Sequence, residues 1–170
     1  TYILKIKKDS KISKYVTNKQ KNLAVRFPKH RMFKSLLQKL NYPLAAPSAN
    51  ISTKLSSVQA SDVEEEFGKK IRYVLDGGKC NIGLESTIIN LTGKPTILRL
   101  GGLDITRIKK VLNKNIKLDI NPKKKIAPGQ SLLHYSPGIP LKLNVKKPKK
   151  GDAFLLIKKR KFNLSNFYYL

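Results

Sequence analysis

A chain of 170 residues holds one ordinary domain with a sizeable core, and an apolar content of 40% with 8% aromatics is enough to fill it. No apolar run reaches the ~18 residues of a membrane helix and the opening TYILKIKK lacks the long apolar stretch of a signal peptide, so neither membrane insertion nor secretion is supported. The lone Cys80 excludes an internal disulfide, and the formal net charge of +26 excludes an acidic, polyanion-repelling surface.

Thr1 to Lys8 alternates apolar and polar residues in part, and Asn22 to Phe27, NLAVRF, is a second short strand candidate across a polar connection. From His30 to Leu40 the apolar residues Met32, Phe33, Leu36, Leu37 and Leu40 recur at spacings of three and four, which predicts an amphipathic helix with its stripe on the sheet. PLAAPSAN, Pro43 to Asn50, has two prolines that forbid a helix interior and reads as a short strand running into a loop. Ser61 and Glu64 resemble a capping box for a helix that Gly68 stops, the alternative being a helix that starts a few residues earlier.

IRYVLD, Ile71 to Asp76, reads as a strand closed by Gly77 and Gly78. STIINL, Ser86 to Leu91, and TILRL, Thr96 to Leu100, make a hairpin. Ile105, Ile108, Val111 and Leu112 predict a helix after the Gly101, Gly102 turn. Strands interleaved with helices and hairpins indicate an α/β (α+β mixed) fold, a mixed sheet with packed helices. After Leu118 five prolines, Pro122, Pro128, Pro137, Pro140 and Pro148, mark a linker, and DAFLLIK, Asp152 to Lys158, reads as a strand that opens another domain. The expected division is 1–117 as a first α/β domain, 118–140 as linker, and 141–170 as the beginning of a second α/β domain. Thr1 in place of Met and the apolar ending SNFYYL lead to the expectation that the chain is cut at both ends.

Lysine outnumbers arginine 30 to 6 and is spread from Lys5 to Lys161, which favours a solvated surface and linker over a dedicated RNA groove. Cys80, without a second thiol or clustered histidines, implies no zinc site and reads as a buried or indifferent thiol.

Arg26 sits in an otherwise apolar strand, where an unpaired guanidinium is costly, so it needs a carboxylate or phosphate. With ten acidic residues in the chain, an internal partner and a ligand anion are equal alternatives. Arg99, beside a glycine turn in LRLGG, has the same ambiguity. PLAAPSAN places small side chains with Ser48 and Asn50 at a strand end, where open sheets bind ligands, although a bare Ser-Ala-Asn is most simply a packed turn. GLESTI, Gly83 to Ile88, offers the Ser86 and Thr87 hydroxyls, and β-propensity alone explains Thr87. Glu85 has no second carboxylate at a fixed spacing and is given no acid or base role. His134 and Tyr135 sit in a proline-bounded loop, as a pin for the linker or as a base-stacking pair.

The ordered set AVRFP, PLAAPSAN, VLDGG (Val74 to Gly78), GLESTI, ILRLGG (Ile97 to Gly102) and PGQSLLHYSP (Pro128 to Pro137) resembles the YrdC-like threonylcarbamoyl-AMP synthase family, in its long form with an additional C-terminal domain. The resemblance covers roughly residues 1 to 140 and implies a YrdC-like twisted mixed sheet. It implies synthesis of threonylcarbamoyl-adenylate and pyrophosphate from L-threonine, bicarbonate and ATP, for tRNA threonylcarbamoyladenosine modification and its threonylcarbamoyl-transfer machinery. By this resemblance Arg26, Ala46 and Ser86 bind L-threonine, and Asn22, Ser48, Ser56, Arg99 and Tyr135 bind ATP. No side chain is a covalent nucleophile; Mg2+ accompanies the phosphates without an identified protein ligand.

With neither membrane insertion nor secretion supported, a soluble cytoplasmic protein is the default expectation. The family's Lys-x-Arg motif lies in its amino-terminal third, which the resemblance implies is missing here, so the 170-residue fragment is expected to be inactive or very weak. Two other readings compete: a basic double-stranded RNA- or tRNA-binding module, and a YrdC-like carbamoyltransferase domain of the kind used in hydrogenase maturation.

Overall fold

The computed structural model describes residues 1–113, 115–120, 138–156 and 167–169. The chain forms two compact units, Thr1–Pro137 and Gly138–Leu170. In the first, strands β1 (Tyr2–Lys5), β2 (Asn22–Val25), β3 (Ile88–Asn90), β4 (Thr96–Arg99) and β5 (Lys117–Leu118) form one sheet in the spatial order β2-β1-β3-β4-β5. Helices α1 (Lys14–Thr17), α2 (Arg31–Gln38), α3 (Ala60–Phe67) and α4 (Ile105–Leu112) complete it, with one 3₁₀ turn at Gly68–Lys70.

The sheet is mixed, as expected. β1 runs antiparallel to β2 and parallel to β3, β3 is antiparallel to β4, and β4 is parallel to β5. One end of the sheet therefore collects the starts of β1 and β3 with the ends of β2 and β4. That single consequence of the topology positions the candidate site.

The apolar runs in β3 and β4 are continuous because both faces are covered. Alternation sends successive side chains to opposite faces. Ile89 and Ile97 pack with Ile108 of α4 and with Ile116, flanked by Leu91, Ile105 and Leu112. Ile88 and Leu98 pack instead with Ile3 of β1. The Asp104 carboxylate caps α4 by accepting from the Thr106 N–H at 2.9 Å, and Asn113 ends it in a left-handed conformation that asparagine tolerates.

Several segments depart from the expectations. Pro43 to Asn50 forms no strand: its two prolines lack the N–H groups a ladder needs. Ile71 to Asp76 is not in a ladder either; it has the residues of a strand but no neighbouring strand among the described residues, and Tyr73 and Leu75 stand exposed. Helix α2 forms where its periodicity predicts, yet it contains no buried residue, and Met32 and Leu36 of its stripe are exposed. Its first turn is tied down by His30, whose Nδ1 accepts from the Phe33 N–H while Nε2 lies 3.0 Å from the Gly77 carbonyl. Helix α3 begins at Ala60, so Ser61 and Glu64 are inside it; the first-turn bond comes from Asp62, which accepts from the Val58 N–H at 2.9 Å. Cys80 is exposed, not buried.

In the second unit β6 (Phe154–Leu156) pairs in parallel with β7 (Phe167–Tyr169), so DAFLLIK does contain a strand. Leu156 is buried there and Leu155 exposed. No helix among the described residues is long and apolar enough to cross a membrane.

Candidate substrate-binding site

Arg26 directly follows β2 and Thr1 directly precedes β1, and the register Tyr2 opposite Val25 puts them side by side. Ser86 lies just before β3, and Arg99 ends β4 opposite Ile88. All four meet at the same end of the sheet. The Thr1 amino group donates to the Thr87 carbonyl at 3.0 Å, and the Thr1 and Ser86 hydroxyls share a hydrogen bond of 2.5 Å. Arg99 donates from Nε to the Ser86 carbonyl at 3.1 Å and from a terminal nitrogen to the Ser86 hydroxyl at 3.4 Å.

The electrostatics follow from this crowding. Arg26 and Arg99 bring two positive charges to this end of the sheet. Like charges gathered at one sheet end make a place for an anion. Arg26 is exposed and has no carboxylate partner among the described residues, so the internal ion pair that its sequence context left open is not found there.

Beside this cluster, the Ser56 hydroxyl donates to the carboxylate of Glu85, the residue next to Ser86. Thr87 plays a structural part: it is 4% exposed, and its hydroxyl accepts from the Gly101 N–H at 3.1 Å and donates to the Leu103 carbonyl at 3.3 Å. Gly101 is required by close approach. A Cβ there would stand 2.2 Å from the Glu85 carbonyl oxygen and 2.4 Å from the Thr87 nitrogen.

The loop from Pro43 to Asn50 is fixed from behind. Ser57 donates to the Ala49 carbonyl at 2.6 Å, Asn50 donates to the Lys54 carbonyl at 3.1 Å, and the Ile51 N–H donates to Glu66 of α3 at 2.7 Å. Ala46 and Ser48 lie exposed on it. Asn22 opens β2 opposite Lys5, at the far end of the strand from Arg26 and about 13 Å from it at the strand rise per residue. The structure thus gathers Arg26, Ser86 and Arg99, sets Ser56 beside them through Glu85, and leaves Asn22, Ala46 and Ser48 without a bond to the cluster. Tyr135 and His134 lie outside the described residues. Among the described residues, no group of three or more His, Cys, Asp or Glu side chains is gathered to hold a metal.

Sequence reasoning gave no role to Thr1 or to Glu85. Thr1 becomes visible only through the antiparallel register that sets it beside Arg26. Glu85 is visible only once residues 56 and 85 meet in space.

Comparisons agree on the kinship. A family model for Sua5/YciO/YrdC, described as telomere recombination, matches residues 1–101. Threonylcarbamoyl-AMP synthase of Pyrococcus abyssi is 39% identical over 142 residues, covering 79% of this chain and 41% of that protein. The Schizosaccharomyces pombe protein of the same name is 37% identical over 74% of this chain and 33% of its own length, and the Bacillus subtilis one 35% identical over 83% and 42%.

A crystal structure of P. abyssi Sua5 complexed with L-threonine superposes with a TM-score of 0.78 at 29% identity, covering 99% of this chain and 55% of that one. A structure of the same protein with an adjacent histidine and tyrosine changed to alanine superposes at 0.67, with 34% identity, 81% and 40%. The chain spans less than half the length of these three curated relatives. By sequence match and by fold, it belongs to the Sua5/YciO/YrdC family.

Proposed function

We propose that this chain carries substrate-binding residues of a threonylcarbamoyl-AMP synthase, joining L-threonine, bicarbonate and ATP into threonylcarbamoyl-adenylate with release of pyrophosphate. The observation that carries the reading is the convergence of Arg26, Ser86 and Arg99 at one sheet end. Arg26 grips the threonine carboxylate, while Ser86 and Ala46 contact the remainder of the amino acid. Arg99, Ser48, Ser56, Asn22 and Tyr135 serve ATP, and the distance from Asn22 to Arg26 suits two ligands lying end to end along β2. The relative crystallised with L-threonine supports the amino-acid half of this reading. The histidine and tyrosine altered in the other structure have their adjacent counterpart here in His134 and Tyr135.

In the reaction, the threonine amine forms a C–N bond to the bicarbonate carbon with loss of water, giving N-carboxy-threonine; an oxygen of that N-carboxylate then forms a bond to the α-phosphorus as the bond from that phosphorus to the β-phosphate bridging oxygen breaks, releasing pyrophosphate. No side chain is a nucleophile. The protein orients the two reactants and offsets developing charge through Arg99. Magnesium, which neutralises phosphate charge when bound, is carried by ATP itself. The adenylate is consumed by a tRNA-modifying transfer step, a cytoplasmic task that suits a strongly basic protein.

The test is to incubate the protein carrying this chain with the three substrates and detect threonylcarbamoyl-adenylate by mass spectrometry. Product should vanish when any one substrate is omitted. Pyrophosphate release that ignores threonine and bicarbonate would refute the assignment.

A further inference from the structure

The Ser56 hydroxyl has one proton to give, and it gives it to the Glu85 carboxylate. Both residues are half-buried. The acceptor is also firmly seated: the backbone from Glu85 to Thr87 lies against Gly101, and the Thr87 hydroxyl ties it to Gly101 and Leu103. With its proton committed, Ser56 turns only lone pairs toward a ligand.

We infer that Glu85 is a positioning residue that makes Ser56 a hydrogen-bond acceptor, so that Ser56 recognises an N–H or O–H group of the nucleotide and not its phosphate oxygens. The inference rests on the proposed ATP site and deepens it. Phosphate oxygens are acceptors themselves, and two acceptors in contact repel. The donors ATP offers are its ribose hydroxyls and the amino group of adenine. Each of these satisfies the Ser56 oxygen, and the experiment separates them.

Nucleotide affinity and kcat/KM are measured on the protein carrying this chain, as wild type, Ser56→Ala and Glu85→Gln. The ligands are ATP, 2′-deoxy-ATP, 3′-deoxy-ATP and purine riboside triphosphate, which lacks the amino group. Wild type should disfavour one of the three analogues by roughly fivefold, the loss of one neutral hydrogen bond. Ser56→Ala should weaken ATP by about the same factor and abolish that discrimination. Glu85→Gln, whose amide can donate back to Ser56 and turn its proton outward, should reduce the discrimination too, leaving the threonine KM within about twofold of wild type. A residue with only a structural role would move the threonine and nucleotide constants together.

Unchanged discrimination in Ser56→Ala overturns the inference, as does a Ser56→Ala effect that appears equally for all four nucleotides. Calorimetric ATP binding separates the two levels of the argument. Binding with Ser56-dependent discrimination but no threonine-dependent turnover upholds the inference and refutes the synthase reading. No ATP binding at all refutes both.

Discussion

Gly101 shows how narrowly the site is built at the scale of single residues. An added Cβ would meet the carbonyl oxygen of Glu85 and the nitrogen of Thr87, both backbone atoms that cannot swing aside as a side chain can. Gly101→Ala should cost about 1–3 kcal/mol of stability, the ordinary cost of overpacking, read as a lower urea midpoint. Gly93→Ala, at a position where a Cβ meets nothing within 4 Å, is the control and should be near neutral. Arg26 and Arg99 were legible as unusual residues, because a cation in an apolar strand demands an anion. That the two meet at one end of the sheet was not legible, since it depends on which strand ends coincide. Thr87 shows the converse: the plain reading by β-propensity suits a hydroxyl whose bonds are all spent on the Gly101 turn.

Among elements, the ones with a clear period and a covered face formed where expected. β3, β4 and α4 interlock through Ile89, Ile97 and Ile108, so local preference and tertiary packing agree. β5 has two residues, too few to show a period, and it is defined only by pairing with β4. Ile71 to Asp76 shows the opposite failure, strand-like residues with no neighbouring strand among the described residues. The cap of α4 gives a pH test. Bonds from the Thr106 hydroxyl and then its backbone N–H hold the Asp104 carboxyl below its ordinary value of 3.8. A carboxyl depressed in the folded state contributes stability that is present above its unfolded pKa and lost as pH falls through the folded one. Asp104→Asn should therefore flatten the loss of stability below pH ~4, while still capping the helix. An acid limb as steep as that of wild type in urea titrations would contradict this account.

At the scale of the whole chain, a net charge of +26 opposes compaction by self-repulsion. Added salt shortens the reach of that repulsion to about 8 Å at physiological ionic strength. The melting temperature should rise between low and moderate sodium chloride; a fall would mean that favourable ion pairs, not repulsion, dominate the surface. Met32 and Leu36 on α2 stand exposed, and the chain spans under half the length of the three curated relatives. The most direct test of the central claim is calorimetric titration of L-threonine into the protein carrying this chain, as wild type and as Arg26→Ala. Loss of a charged hydrogen-bonding partner should weaken binding by at least about tenfold. Equal affinity in the two proteins would contradict the assignment of the Arg26, Ser86 and Arg99 cluster to threonine and ATP.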